Sequence, residues 1–245
     1  MHLSILGCGT IVQQGTSANC SGYLLDHNLL FDCGPGIWKA LYQHKISISH
    51  LNNIFLTHFH VDHTSDLGPL LLNRLLYSNL KEISLNIIGP PGLKEWFSNL
   101  KTLLGRWSED LAINLSEIRD DPYQTADHNI TCKYTGHTDN SICYRVEKNG
   151  KSFFYSGDTG YSDNVIALAT DCQLAVLEAS NSDETHIKEH LTPHLAGKIA
   201  ARAGVQKLVL THMYPEVLEG NPVKEASSAF TGEIILAQDG MAIDF

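Results

Sequence analysis

Residues 55–66 have the sequence Phe55-Leu56-Thr57-His58-Phe59-His60-Val61-Asp62-His63-Thr64-Ser65-Asp66, in which three histidines and one aspartate occupy six positions directly after an apolar stretch. We predict a strand over residues 54–57. In an extended chain, alternate residues point to the same side, so His58 and His60 can reach one cation together. The chain is then expected to turn into a helix that directs Asp62 and His63 at a neighbouring point. Imidazole and carboxylate groups at this density suit Zn²⁺, with Mn²⁺ or Fe²⁺ as alternatives.

Three later residues extend this candidate site. His137, Asp158 and His212 each follow a predicted strand, over residues 130–135, 152–155 and 207–211. Strand ends gathered at one edge of a sheet are where α/β proteins usually build their sites. Any one of these residues by itself would be interpreted as a structural side chain, but their shared placement favours metal ligation. The predicted metal ligands are His58, His60, Asp62, His63, His137, Asp158 and His212.

The rest of the sequence predicts a mixed α/β fold in one domain over residues 1–245. Short strands and amphipathic helices alternate through both halves, which indicates two sheets packed together and covered by helices. The longest apolar stretch, residues 67–80, contains Asn73 and Arg74 and is too short to span a bilayer. Its apolar face either packs on a sheet or pairs with a second copy of the chain.

Composition excludes several classes of protein. The apolar fraction of 43% and charged fraction of 18% are typical of a globular chain, and the net charge of −10 argues against a surface that binds polyanions everywhere. The six cysteines form no CxxC pair and are expected to be buried thiols in a reducing compartment. The first residues lack the basic and apolar regions of a signal peptide. A cytoplasmic protein without membrane association is therefore predicted.

The quoted motif resembles the HxHxDH signature of the metallo-β-lactamase superfamily. Later segments are similar to motifs of its ribonuclease Z branch, and they follow in the same order: Gly157-Asp158-Thr159, Glu178-Ala179-Ser180, His190-Leu191-Thr192 and Leu210-Thr211-His212. The resemblance implies an αββα sandwich with two metal ions at the shared edge of the sheets. It also implies a division of ligands: one metal takes His58, His60 and His137, the other takes Asp62, His63 and His212, and Asp158 bridges them.

The same resemblance implies a hydrolytic mechanism. Two nearby cations lower the pKa of water to about 7 and stabilise developing negative charge. Asp62 is expected to orient the attacking water, and His190 to protonate the leaving group. The alternative for His190 is an exposed histidine before a helix. We expect Asp32 and Glu178 to hold ligand histidines by hydrogen bonds, although both could equally be structural carboxylates.

The predicted activity is that of a phosphodiesterase, because two cations match a phosphate and its transition state. In ribonuclease Z enzymes a long tRNA-binding arm separates the third histidine motif from the GDT motif. Here residues 137–158 contain only one predicted hairpin, so a small or nucleotide phosphodiester is the expected substrate, and nucleic acid is possible but not favoured. Three alternatives stay open: a tRNA 3′-endonuclease, an ester, thioester or lactone hydrolase, and a non-catalytic metal-binding protein.

Overall fold

The computed structural model describes residues 1–12, 17–76, 80 and 83–245. Within this part of the chain, the backbone forms two seven-stranded sheets. The first sheet contains β1 (His2–Gly7), β2 (Gly22–Leu25), β3 (Leu29–Phe31), β4 (Asn53–Phe55), β5 (Leu85–Gly89), β6 (Ile113–Glu117) and β14 (Ala242–Asp244). The second contains β7 (Tyr123–Gln124), β8 (Asn129–Tyr134), β9 (Ile142–Lys148), β10 (Lys151–Tyr155), β11 (Leu174–Glu178), β12 (Lys207–Thr211) and β13 (Glu233–Leu236).

Both sheets are mixed, and their strand directions determine where the loops gather. The first sheet has the order β14-β1-β2-β3-β4-β5-β6 and is parallel from β3 to β6. The second has the order β13-β12-β11-β10-β9-β8-β7 and is parallel from β10 to β13. Because β9 is antiparallel to both β8 and β10, the strand β8 runs in the same direction as β10, β11 and β12. The carboxyl ends of these strands therefore meet at one edge of the sheet.

Eight α-helices flank the two sheets in the described part of the chain. They are α1 (Ile37–Gln43), α2 (Val61–Thr64), α3 (Leu67–Leu76), α4 (Leu93–Leu104), α5 (Asp163–Ala169), α6 (Pro193–Ala203), α7 (Pro215–Glu219) and α8 (Pro222–Ser227), with a short 3₁₀ helix at Arg106–Asp110. Helix α6 starts with Pro193 after Thr192, whose side chain accepts a hydrogen bond from the Leu195 amide. In the described part of the chain, none of these helices is long and apolar enough to cross a membrane.

Three apolar layers hold the sandwich together. The central layer packs the inner faces of the sheets against each other, through side chains such as Phe31 and Phe55 from the first sheet and Tyr144 and Phe153 from the second. One outer layer joins the first sheet to α1, α3 and α4, and the other joins the second sheet to α5, α6 and α8. Each fully buried large side chain contributes about 1.5–3 kcal/mol. The predicted αββα sandwich of two mixed sheets is confirmed.

The apolar stretch of residues 67–80 contains α3, while residues 77–79 of that stretch lie outside the described residues. Leu67, Leu70 and Leu71 pack into the outer apolar layer, whereas Leu72 and Leu76 are exposed. The sheet therefore covers most of this apolar face, and pairing with a second copy stays a prediction. Sequence patterns did not predict β7, α7 or α8, because elements of so few residues carry too little periodicity.

Candidate metal centre

The histidine-rich loop follows the carboxyl end of β4. It is held in place by the segment that follows β3, the neighbouring strand of the sheet. The Cys33 amide donates a hydrogen bond to the His63 carbonyl over 2.7 Å. A side chain on Gly34 would collide with the Asp62 carbonyl, since a β carbon there would lie 1.9 Å from that oxygen. His60 has extended backbone and precedes the first residue of α2. The chain thus changes from extended to helical between the two pairs of predicted ligands.

The second sheet supplies the other three candidates from its strand ends. His137 follows β8, Asp158 follows β10 and His212 follows β12. His212 has a φ of 54°, which only a minority of non-glycine residues adopt and which turns its ring back towards the cluster. All seven predicted ligands are thereby brought to the shared edge of the two sheets.

The donor atoms fall into two clusters that meet at Asp158. In the first cluster, ligand atoms of His58, His60, His137 and Asp158 all lie within 4.8 Å of one another. Asp158 Oδ2 is 3.7 Å from His58 Nε2 and 3.6 Å from His137 Nε2. His60 Nδ1 is 3.3 Å from His137 Nε2. This arrangement offers nitrogen and oxygen ligands to one divalent cation.

The second cluster consists of Asp62, His63 and His212, whose ligand atoms meet the same 4.8 Å limit. Asp62 Oδ2 lies 3.4 Å from His212 Nε2. The other oxygen of Asp158, Oδ1, lies 3.3 Å from His63 Nε2. Asp158 therefore directs one carboxylate oxygen at each cluster.

Buried nitrogen and oxygen atoms without hydrogen-bond partners show that the clusters suit divalent metals. Among the described residues, His58 Nε2, His63 Nε2, His212 Nε2 and Asp158 Oδ1 are buried and have no hydrogen-bond partner. Buried polar atoms are almost always paired, and leaving one unpaired costs about 1–3 kcal/mol. Four such atoms directed into the same small space are explained by ligation of a cation.

Asp32 holds two of these histidines in orientation. Its Oδ2 accepts a hydrogen bond from His63 Nδ1 over 2.7 Å and another from the Tyr155 hydroxyl over 2.7 Å. The Thr57 hydroxyl donates to Asp32 and lies 3.0 Å from His58 Nδ1, from which it can accept a hydrogen bond. Both rings thus present Nε2 to the clusters, which is how an outer carboxylate directs a metal-binding imidazole.

Glu178 organises the opposite wall of the site. Its Oε1 accepts hydrogen bonds from His190 Nδ1 over 2.8 Å and from the Thr159 amide over 2.8 Å. Its Oε2 accepts one from the Ser180 hydroxyl over 2.6 Å, and that hydroxyl lies 3.0 Å from His212 Nδ1. Glu178, Asp158 and His190 are also close enough to form a third potential cation group. Because the Glu178 oxygens are already occupied by hydrogen bonds, that group is the least suited to bind a metal.

The charges within the site set the protonation states of the candidate ligands. Burial and the neighbouring His63 hold the pKa of His58 well below its ordinary value, so the ring is neutral. Burial raises the pKa of Asp158, but the charges of His212 and His63 outweigh it and keep the carboxyl ionised. Burial lowers the pKa of His63, but Asp158 and Asp32 raise it well above the ordinary value. A cation must therefore displace a proton from His63 in order to bind.

His190 is buried beside the clusters and is not the exposed histidine of the alternative interpretation. Its ring centroid is 4.6 Å from that of His137. Burial lowers its pKa, but the hydrogen bond to Glu178 and the charge of that carboxylate raise the pKa to about 9. A protonated imidazole at this position can donate a proton at neutral pH. His194, by contrast, lies 2.9 Å from the Ser228 hydroxyl through its Nδ1 and belongs to none of the clusters found in the described chain.

Thr57, Tyr155 and Ser180 also belong to the site, although the sequence did not predict them. Thr57 precedes the first histidine and Ser180 belongs to a quoted motif, so their positions carried a weak signal. Tyr155 carried none, because it lies 123 residues from the carboxylate that it contacts.

Comparisons with known proteins agree with this geometry. A family model described as the beta-lactamase superfamily domain matches residues 27–213. The chain is 29% identical to the "Probable metallo-hydrolase YhfI" of Bacillus subtilis over 98% of each chain. It is also 29% identical to the ribonuclease Z of Mycobacterium sp. strain KMS, over 98% of this chain and 94% of that protein.

Solved structures show the same fold. The crystal structure of YhfI superposes with a TM-score of 0.85 at 25% identity and covers 99% of this chain and 98% of that one. The short form of human tRNase Z superposes with a TM-score of 0.80 at 22% identity and covers 100% and 99% of the two chains. Between His137 and Asp158 the described chain contains only the hairpin of β9 and β10. The chain therefore belongs to the beta-lactamase superfamily, as a ribonuclease Z-like hydrolase of the metallo-β-lactamase fold that lacks a long arm at this position.

Proposed function

We propose that the protein is a dinuclear metal-dependent phosphodiesterase that acts on a small or nucleotide phosphodiester. His58, His60 and His137 would hold one ion and Asp62, His63 and His212 a second, with one Asp158 oxygen directed at each group. Zn²⁺ suits these ligands best, and Mn²⁺ or Fe²⁺ are alternatives. The observation that carries the proposal is the set of four buried, unpaired donor atoms directed into the two clusters.

A bound pair of divalent ions would supply an acidified water and positive charge for the phosphate oxygens. The side chains of this protein complete the reaction. Asp62, at the edge of the second cluster, orients the water that attacks phosphorus. As the bond from phosphorus to the ester oxygen breaks, His190 donates its Nε2 proton to the departing alkoxide. Glu178 holds the other nitrogen of His190 and stabilises its protonated form.

Phosphodiester substrates are favoured over acyl esters for two reasons. The Asp158 carboxylate lies between a set of three histidines and a set of two histidines and one aspartate, so cations held by these sets would both be able to contact a tetrahedral phosphate. A relative of similar length is also named as a ribonuclease, and ribonucleases cleave phosphodiesters. An ester, thioester or lactone hydrolase using the same metal pair is the second candidate.

Processing of tRNA is a further alternative that the surface disfavours. The net charge is −10, and the hairpin of β9 and β10 is closed by only Asn149 and Gly150. Affinity for a long polyanion depends on many phosphate contacts from basic side chains. We therefore propose a substrate that fits within the site.

The test is a substrate panel assayed with protein of measured metal content. We expect close to two equivalents of metal per chain and hydrolysis of bis-p-nitrophenyl phosphate and of cyclic nucleotides. Asp158→Asn should abolish both metal binding and turnover, whereas His50→Ala, at an exposed residue outside the clusters, should change neither. Preference for p-nitrophenyl acyl esters would overturn the substrate class. Full metal content without turnover of any phosphodiester would indicate a non-catalytic metal-binding protein.

A further inference from the structure

A cavity of about 660 Å³ opens beside the first metal cluster. His137 belongs both to that cluster and to the lining of the cavity, which is completed by Arg119, Tyr134, Asp139 and Glu189, among others. Small-molecule sites usually have volumes of about 300–1,000 Å³. A group attached to a phosphate at the clusters can therefore extend past His137 into this space.

Two of the residues that line the cavity, Arg119 and Tyr134, lie against each other. The guanidinium carbon of Arg119 lies 5.0 Å from the centre of the Tyr134 ring. The Tyr134 backbone is held at the end of β8, where its carbonyl accepts a hydrogen bond from the Asn164 side chain over 3.2 Å. Among the described residues, no carboxylate lies within 4.0 Å of the Arg119 guanidinium. The guanidinium is thus anchored by its aromatic contact and leaves its hydrogen-bond donors available to a ligand.

The rim of the cavity carries charges of the opposite sign. Asp139 and Glu189 are both exposed and contribute carboxylates to the lining. With one arginine and two carboxylates, the cavity does not attract a purely anionic group. It offers a flat surface for stacking together with donors and acceptors at its edges, which is the chemistry that binds a planar, uncharged ring with amino and carbonyl substituents.

The Glu189 side of the cavity adjoins the part of the site that contains His190. The Glu189 carbonyl accepts a hydrogen bond from His137 Nδ1 over 3.1 Å, and the next residue is His190. A ligand in the cavity therefore lies on the side of the clusters from which His190 approaches. A planar ring bound in the cavity therefore belongs to the leaving group, which is the part of the substrate that His190 protonates.

We propose that this cavity is a nucleobase subsite, in which the Arg119 and Tyr134 pair stacks on the base while the phosphate occupies the metal clusters. The inference rests on the proposed function, since it assigns the substrate class of the same site: nucleoside phosphodiesters. Arg119 and Tyr134 are specificity-determining residues that contact the base.

The test compares two ligands that differ only in the base. Binding of adenosine 5′-monophosphate and of ribose 5-phosphate to the metal-loaded protein is measured by calorimetry. We expect the nucleotide to bind at least tenfold more tightly, because stacking on aromatic and guanidinium groups strengthens binding by about this factor per base or more. Arg119→Gln and Tyr134→Leu should each reduce that ratio about fivefold or more, and Tyr134→Phe should retain it.

Arg202→Gln is the matched control. Arg202 also stacks on a tyrosine, with its guanidinium carbon 6.0 Å from the Tyr161 ring, but it does not line the cavity. This variant should keep the wild-type ratio. Metal content and melting temperature of every variant show whether a change in ratio reflects binding or misfolding.

Equal affinity of the wild type for the two ligands would overturn the nucleobase subsite. A ratio that survives both Arg119→Gln and Tyr134→Leu would overturn the assignment of these residues. Failure of the inference is distinguishable from failure of the proposed function. Hydrolysis of bis-p-nitrophenyl phosphate without a preference for the nucleotide contradicts only the subsite, whereas absence of all phosphodiester hydrolysis contradicts the proposed function whatever the ratio.

Discussion

His63 Nδ1 lies 2.7 Å from Asp32 Oδ2, and both side chains are completely buried between the two sheets. The contact joins the histidine-rich loop after β4 to Asp32, the residue that follows β3. Asp32 has a φ of 58°, so its carboxylate is directed at the loop by an uncommon backbone conformation. The orientation of His63 therefore depends on a residue that lies outside both candidate ligand clusters.

Replacing Asp32 with Asn should weaken metal binding while leaving every ligand in place. The amide keeps the shape and the left-handed backbone preference of Asp32 but loses the charge that fixes the His63 ring. Loss of such an outer partner typically lowers metal affinity about 10–100-fold. Competition with a fluorescent chelator measures this affinity, and Asp110→Asn, at an exposed aspartate, serves as the control. Unchanged affinity in Asp32→Asn would assign the carboxylate a purely structural role.

His190→Ala should lower turnover of a phosphodiester with an alkyl leaving group about 10²–10⁴-fold, because general acid catalysis usually contributes this much. The effect on a nitrophenolate leaving group should be much smaller, since nitrophenolate departs without a proton. Metal content should stay normal, as His190 hydrogen-bonds to Glu178 and lies outside the two ligand clusters.

His194→Ala is the matched control for His190→Ala, because His194 is a nearby histidine that contacts Ser228. Loss of metal in His190→Ala would show that this residue is structural. Equal effects on both leaving groups would exclude proton donation.

Asp26 is expected to make the protein sensitive to acid. Its Oδ2 accepts hydrogen bonds from Lys148 Nζ and His128 Nε2, each over 2.9 Å. Burial raises the pKa of Asp26, but these hydrogen bonds outweigh it and hold the pKa well below its ordinary value. A carboxyl with a depressed folded-state pKa contributes stability above its unfolded pKa of about 3.9, and that contribution is lost as the pH falls towards the folded value.

Asp26→Asn should therefore cost about 1–3 kcal/mol in the free energy of unfolding at pH 7 and progressively less below pH 4. Asn is the matched substitution, because Asp26 has a φ of 48° and Asn adopts this conformation readily. Urea unfolding at pH 7 and pH 3 measures the difference. A cost that does not change with pH would contradict the assignment.

Gly157→Ala should destabilise the site through a contact and not only through the backbone. Gly157 has a φ of 55°, and an added β carbon would lie 2.6 Å from Thr57 Cβ, within the hydrogen-bond network of Asp32 and His58. Gly150 is the matched control, since its φ is 75° but nothing lies within 4 Å of an added β carbon. Gly150→Ala should cost about 1 kcal/mol and Gly157→Ala about 1–3 kcal/mol more, with reduced metal affinity only in the latter. Equal losses of stability would show that the contact with Thr57 relaxes without cost.

The candidate ligands were predictable from the sequence because each of them is recognised by the residues that lie next to it in the chain. An apolar strand followed by His58, His60, Asp62 and His63 specifies both an extended segment and a dense set of donors. The placement of His137, Asp158 and His212 after strands was visible in the same way. Alternating apolar patterns predicted the strands and helices, since they report the face that each element buries, whereas the αββα arrangement was implied by the resemblance to the metallo-β-lactamase superfamily.

The contacts between distant segments were decided by the tertiary structure. Three contacts depend on how the two twisted sheets pack and on which strand ends meet. Asp158 faces both clusters, Glu178 accepts a hydrogen bond from His190, and the Arg119 guanidinium lies over the Tyr134 ring. Sequence periodicity reports only which side of a strand or helix is buried and contains no information on partners far along the chain. The sequence by itself therefore determined the chemical groups and the type of fold, while packing of the sheets decided which groups lie close enough to share an ion, which groups hold a histidine in orientation and which groups line the neighbouring cavity.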